Sequence, residues 1–170
     1  LDVGTGGADI PAALSTSFRA TGFPLDLYGV DRSGEILRHA AIGSPGISLA
    51  VAKGESLPFA DGTFDATMCS LMLHHLSPSQ AVEVLQEMRR VARRGVVIND
   101  LVRSLPGLWG AWLFGHLCTA NALTRHDAPL SVRRAYSRTE ILGLLHQASL
   151  EPIHMETRWF RVGIAARPAP

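Results

Sequence analysis

The sequence predicts an α/β fold: a doubly wound, mostly parallel seven-stranded sheet with an antiparallel C-terminal strand. Two observations carry this. Short apolar runs alternate with amphipathic helical stretches through the first hundred residues, the pattern that β-α-β units leave in a sequence. The chain also opens on Leu1-Asp2-Val3-Gly4-Thr5-Gly6-Gly7-Ala8-Asp9, where an apolar strand breaks into glycines and then into a helix. With 170 residues, 46% of them apolar and 18% charged, one domain can bury its own core without disulfides or metals.

The elements follow in order. After the glycine turn, Ile10, Leu14 and Phe18 recur at four-residue spacing and predict a helix to about Ala20, stopped by Gly22 and Pro24. Leu25 to Val30 reads as a buried strand ending in Asp31. Ser33 is placed to cap a second helix that turns Ile36, Leu37 and Ala40 inward. Gly43 to Gly46 breaks it, and Ile47 to Ala52 is the third strand. Phe64 to Leu71 is the fourth, after a turn at Asp61-Gly62.

Ser77-Pro78-Ser79-Gln80 combines a serine cap, proline in the first turn and glutamine three residues past the cap, a strong helix start. That helix is expected to run to about Arg93 with Ala81, Leu85, Met88 and Ala92 on one face, and to end at Gly95. Val96 to Ile98 is the fifth strand, followed by Asn99-Asp100. Leu105 to Leu123 is almost uncharged and aromatic, yet Pro106, its glycines, His116 and Asn121 interrupt it. A membrane span needs about 20 continuous apolar residues, so this stretch is expected to be a hydrophobic helix over a ligand crevice, with weak membrane-surface association as the rival. Ser137-Arg138-Thr139-Glu140 is a second capping box, opening a helix to about Ala148. Glu151 to Thr157 and Arg158 to Ala166 alternate as two final antiparallel strands.

Composition narrows the function classes. A formal net charge of +1 gives no electrostatic footprint for nucleic acid. Cys69 and Cys118 make neither a disulfide framework nor a metal-ligand spacing, so no metal is expected and Cys69 reads as a buried free thiol. No secretory signal is visible, and a cytoplasmic location is expected. The chain opens inside a strand without an initiator methionine, so it reads as an N-terminally truncated piece of a longer protein.

The glycine turn offers a ligand cradle. Glycines allow close backbone approach, and the following helix N-terminus presents open N–H groups and a positive dipole. A dinucleotide fingerprint begun at Gly4 needs glycine at position 9, where Asp9 stands. Asp2 would repel a pyrophosphate but suits a cation or a hydroxyl. An ordinary strand-to-helix turn without ligand is the plain alternative. His74 and His75 follow the fourth strand at its carboxyl end, where open α/β sheets hold ligands; either one would orient or deprotonate an acceptor hydroxyl, or they only close the strand. Asn99-Asp100 is a candidate substrate contact, and His126-Asp127, beside Arg125, Arg133 and Arg134, is a candidate contact for an acidic acceptor.

Five segments together resemble class I S-adenosylmethionine-dependent methyltransferases, the methyltransferase type 11 group that includes ubiquinone and menaquinone biosynthesis enzymes. They are Leu-Asp-Val-Gly-Thr-Gly-Gly-Ala-Asp (1–9), Tyr-Gly-Val-Asp-Arg-Ser (28–33), Glu-Ser-Leu-Pro-Phe-Ala-Asp-Gly-Thr-Phe-Asp (55–65), Leu-His-His-Leu (73–76) and Glu-Met-Arg-Arg-Val-Ala-Arg-Arg-Gly (87–95). The resemblance implies a Rossmann-like fold with S-adenosylmethionine as cofactor and a small-molecule substrate. It implies cofactor contacts from Asp2, Gly4, Thr5, Gly6, Asp31, Arg32, Lys53, Gly54 and Ser70, with Asp31 taking the ribose hydroxyls, and catalysis by His75 or His74.

One position departs from the pattern. Lys53 stands where such sequences carry an aspartate for the adenine amino group; lysine only donates, so that contact is expected to be lost, leaving the Gly54 backbone for the ring edge. The implied layout is a single methyltransferase domain over 1–170: a cofactor core over 1–100, a hydrophobic lid or substrate insertion over 101–136, and a C-terminal helix and strand pair over 137–166. The expected reaction is O- or C-methylation of a small hydrophobic or aromatic acceptor. The alternatives are a truncated or degenerate cofactor fold without activity and, less favoured, an NAD(P)-dependent oxidoreductase.

Overall fold

The computed structural model describes residues 1–103 and 132–169. Their strands are β1 (Asp2–Val3), β2 (Tyr28–Asp31), β3 (Ser48–Val51), β4 (Phe64–Ser70), β5 (Ala92–Leu101), β6 (Leu150–Arg158) and β7 (Arg161–Pro168). They form one seven-stranded sheet in the order β3-β2-β1-β4-β5-β7-β6. β3, β2, β1, β4 and β5 pair in parallel, and β7 runs antiparallel to both β5 and β6. The predicted fold class holds: a single reversed strand, β7, lies in an otherwise parallel order.

The helices are α1 (Asp9–Ala20), α2 (Gly34–Gly43), α3 (Pro78–Val91) and α4 (Arg138–Gln147). Both expected capping boxes form: Ser77 with Gln80 opens α3, and Ser137 with Glu140 opens α4. Ser33 caps α2 by accepting from Ile36 N–H. α3 buries Ala81, Val84, Leu85, Met88 and Val91, one continuous face at helical spacing. It packs against α4 and against β4 and β5, while α2 packs on β2 and β3. Sheet residues Val3, Val30, Ile98 and Ile164 meet Leu85, Met88, Ile141 and Leu145 in the core. No helix among the described residues is long and apolar enough to cross a membrane.

Several boundaries differ from the expectation. β2 begins at Tyr28 rather than Leu25, because its ladder to β3 starts at the Tyr28–Ser48 pair. α3 ends at Val91, and Gly95 does not stop it; Ala92 and Gly95 both lie in β5. A Cβ on Gly95 would sit 2.5 Å from the Ala166 carbonyl oxygen of β7, so this glycine permits close strand approach. Ile36, expected inward, is 44% exposed, whereas Leu37 and Ala40 are buried as expected. The hydrophobic stretch 105–123, Cys118 and the His126-Asp127 loop lie outside the described residues.

β6 is a free edge. Pro152 stands in it, the ladder to β7 shifts register between Pro152 and His154, and Glu151, His154, Glu156 and Arg158 are exposed.

Candidate active site

From β1 the strand order grows one way through β2 and β3 and the other way through β4 and β5, so the switch point lies between β1 and β4. Ligands of open α/β sheets bind outside the carboxyl ends of the strands there. Five segments leave the sheet at that edge.

The turn after β1 is held open by left-handed backbone at Gly4 (φ 73°), Gly6 (φ 54°) and Ala8 (φ 57°). Glycine is required at Gly4 twice over, since an added Cβ would also meet Met72 Sδ at 2.8 Å. Gly4 and Thr5 N–H both donate to the Val30 carbonyl (2.8 and 2.9 Å). No side chain caps the N-terminus of α1.

Asp31, at the end of β2, binds this turn to its own strand. Its Oδ2 accepts from Gly6 N–H (3.0 Å) and its Oδ1 from Ser33 N–H (2.9 Å). Each carboxylate oxygen keeps a second lone pair, so Asp31 ties the turn and still has acceptor capacity.

Asp2 lies beneath the turn, 4% exposed. Among the described residues its Oδ1 and the Thr5 hydroxyl have no well-aligned hydrogen-bond partner. Burial raises the Asp2 pKa to about 6; the adjacent Thr5 hydroxyl and the N-terminal ammonium hold it part of the way down, and the Asp9 and Asp31 charges push it up. A buried acid with an orphaned oxygen is a costly arrangement in the empty fold. A cation placed nearby would offset it.

A cavity of about 440 Å³ opens at this edge. Gly4, Asp31, Arg32 and Gly54 form part of its wall, with Glu55, Met72, His75 and Leu76. Of the residues expected to hold a ligand, Gly4, Asp31, Arg32, Gly54 and His75 are therefore brought together. Asp2, Thr5 and Gly6 are not part of that wall. Lys53 is exposed and outside the wall, in a tight turn where it pairs with Ser56, and Glu55 lines the cavity instead. Ser70 accepts from the Asn99 side chain (3.0 Å) and is not part of the wall. A larger, more open concavity of about 620 Å³, beside Arg89, His146 and Glu151, lies where β6 begins and β7 ends and has no glycine in its wall.

The two histidines part company. They sit in a 3-10 turn, Leu73–His75, after the left-handed Leu71 (φ 53°). His74 is buried and its Nδ1 lies 2.6 Å from Asp100 Oδ1; His75 faces the cavity. Partial burial, then the His74 ring, holds the His75 pKa below the usual histidine value, which keeps its imidazole neutral and able to accept a proton near pH 7. Asp100, a candidate substrate contact in the sequence, is turned inward: beyond His74 it accepts from Leu73 and Leu101 N–H. Cys69 is a buried free thiol as expected, with its pKa pushed up by burial.

Residues 1–98 match the methyltransferase-domain family. The chain belongs to that family. An uncharacterised methyltransferase of Synechocystis sp. is 30% identical over 86 residues, 51% of this chain and 41% of that protein. The match thus covers about two fifths of the length of this curated relative. Among solved structures, an S-adenosylmethionine-dependent methyltransferase from Aquifex aeolicus is similar with a TM-score of 0.68 at 20% identity, over 97% of this chain and 79% of the other. LepI, solved in complex with S-adenosylmethionine, is similar with a TM-score of 0.73 at 17% identity, over 98% of this chain and 42% of the other. Both share the methyltransferase-family fold described above.

Proposed function

We propose that this chain binds S-adenosylmethionine in the cavity at the β1/β4 switch point and transfers its methyl group to a small hydrophobic or aromatic acceptor, at oxygen or carbon. The observation that carries this reading is the buried, partnerless Asp2 oxygen under a glycine turn whose far side is fixed by Asp31. The cofactor supplies a sulfonium, an ammonium and two ribose hydroxyls. Asp2 and the open α1 N-terminus suit the charged amino-acid end, and the spare lone pairs of Asp31 suit the hydroxyls. Glu55, beside Gly54 in the cavity wall, supplies the acceptor that Lys53 does not.

Methyl transfer from a sulfonium is an in-line displacement, so the protein mainly aligns the partners and excludes water. When bound, the cofactor provides the electrophilic methyl. His75 takes the proton of an acceptor hydroxyl as the new bond forms.

The test is isothermal titration of S-adenosylmethionine and, separately, NADH into the purified chain, with Asp31→Ala alongside. Saturable binding of the first alone, weakened at least tenfold in the variant, supports the reading and is followed by a methyl-transfer screen with phenolic and quinone-like acceptors. Binding of NADH alone overturns it. Tight cofactor binding with no transfer to any acceptor would favour a cofactor-binding fold without activity.

A further inference from the structure

We infer that Asp100 and His74 form a buried pair that positions His75, the residue at the cavity wall, and sets its charge. This rests on the reading of His75 as the base.

The geometry begins at the end of β5. Asp100 is 2% exposed, and its carboxylate has three partners from two segments. Oδ2 accepts from Leu73 N–H (2.7 Å); Oδ1 accepts from Leu101 N–H (2.6 Å) and meets His74 Nδ1 (2.6 Å). The carboxylate therefore clamps the 3-10 turn carrying both histidines to the end of β5, across 27 positions of sequence. It also selects the Nδ1–H form of the His74 ring, because a carboxylate only accepts. The His75 ring lies on the His74 ring with centroids 4.1 Å apart, tilted by 40°. A turn anchor alone would need only the two backbone donors. The imidazole of His74 adds a titratable group in contact with His75, which lines the cavity.

Burial is the largest influence on the charge of His75; beyond it His74 disfavours the protonated form, Asp100 favours it, and Arg134 and Arg32 disfavour it. Asp100→Asn keeps the shape and removes the negative charge, so His75 should titrate at lower pH than in the parent. His74→Gln removes the second imidazole, so His75 should titrate at higher pH.

The experiment is a pH titration of the histidine Cε1–H resonances by NMR in the full chain labelled at histidine, with the His75 signal assigned by its loss in His75→Gln. S-adenosylhomocysteine is added in a second series. Opposite displacements in the two variants, with amide spectra otherwise retained, support the pair. An unmoved His75 curve in both, or movement in one common direction, overturns it. If Asp100→Asn does not fold, His74→Gln decides by itself: an upward displacement supports the pair, and none overturns it. The base assignment is tested separately. If His75→Gln methylates every accepted hydroxyl substrate as fast as the parent, that assignment falls whatever the titrations show.

Discussion

Replacing Asp2 by asparagine should stabilise the empty protein while weakening its hold on the cofactor. The acid is buried and one oxygen has no partner. Its pKa is raised to about 6 in the fold, against about 3.9 for an unperturbed aspartate, and each unit corresponds to about 1.4 kcal/mol. A raised folded-state value means that the protonated acid is the better-tolerated form. This group's stabilising contribution is therefore present below about pH 4 and is lost as pH rises through about 6. Ionised Asp2 thus costs the fold about 3 kcal/mol at pH 8, and about half of that at pH 5. Asparagine does not titrate, so Asp2→Asn should exceed the parent by these amounts. Urea unfolding at pH 5 and pH 8 measures the difference. S-adenosylmethionine titration at pH 8 should show a loss of at least tenfold in affinity in the same variant, since the charge it lacks is the one that suits a cation. A stability gain equal at both pH values, or larger at pH 5, would refute the reasoning.

Other substitutions test the rest of the site and its frame. Gly4→Ala should reduce cofactor binding by at least tenfold in calorimetry, because its Cβ meets Met72 Sδ at 2.8 Å on a backbone already at φ 73°. Arg90→Ala should lower stability by about 2 kcal/mol in urea unfolding, by the scale of charged hydrogen bonds. Its guanidinium joins the Leu57 and Phe59 carbonyls to Glu87 and Asp61, and Glu87 in turn accepts from Leu57 N–H. Gly95→Ala should cost about 1–3 kcal/mol by forcing β7 away from β5, visible as a lower midpoint with little change in the cofactor affinity of the remaining folded protein.

Features written in neighbouring residues were legible in the sequence. The capping boxes at Ser77 and Ser137 need only positions three residues apart, and Asp31 stood out as an acid ending an apolar run. What depends on distant chain was not legible. Gly95 has the local look of a helix stop, yet its role is set by the Ala166 carbonyl, some seventy positions later. His74 and His75 are equivalent as a dipeptide; only Asp100, reaching back from β5, separates a buried ring from one at the cavity. Glu55 is visible inside a matched segment, beside the departure at Lys53. The Lys53–Ser56 turn decides which of the two faces inward, and no periodicity reports that.

The free edge at β6 also governs how copies of this chain behave towards one another. A nine-residue strand that is the sheet's edge among the described residues presents backbone donors and acceptors to another extended segment, which is how sheets grow into aggregates. Here Pro152 removes a donor, the register shift beside it bends the ladder, and Glu151, Glu156 and Arg158 would have to shed water before a second strand could dock. At the opposite edge β3 is only four residues long. No β6 residue lines the cavity, so changes to these side chains should alter self-association before they alter the chemistry.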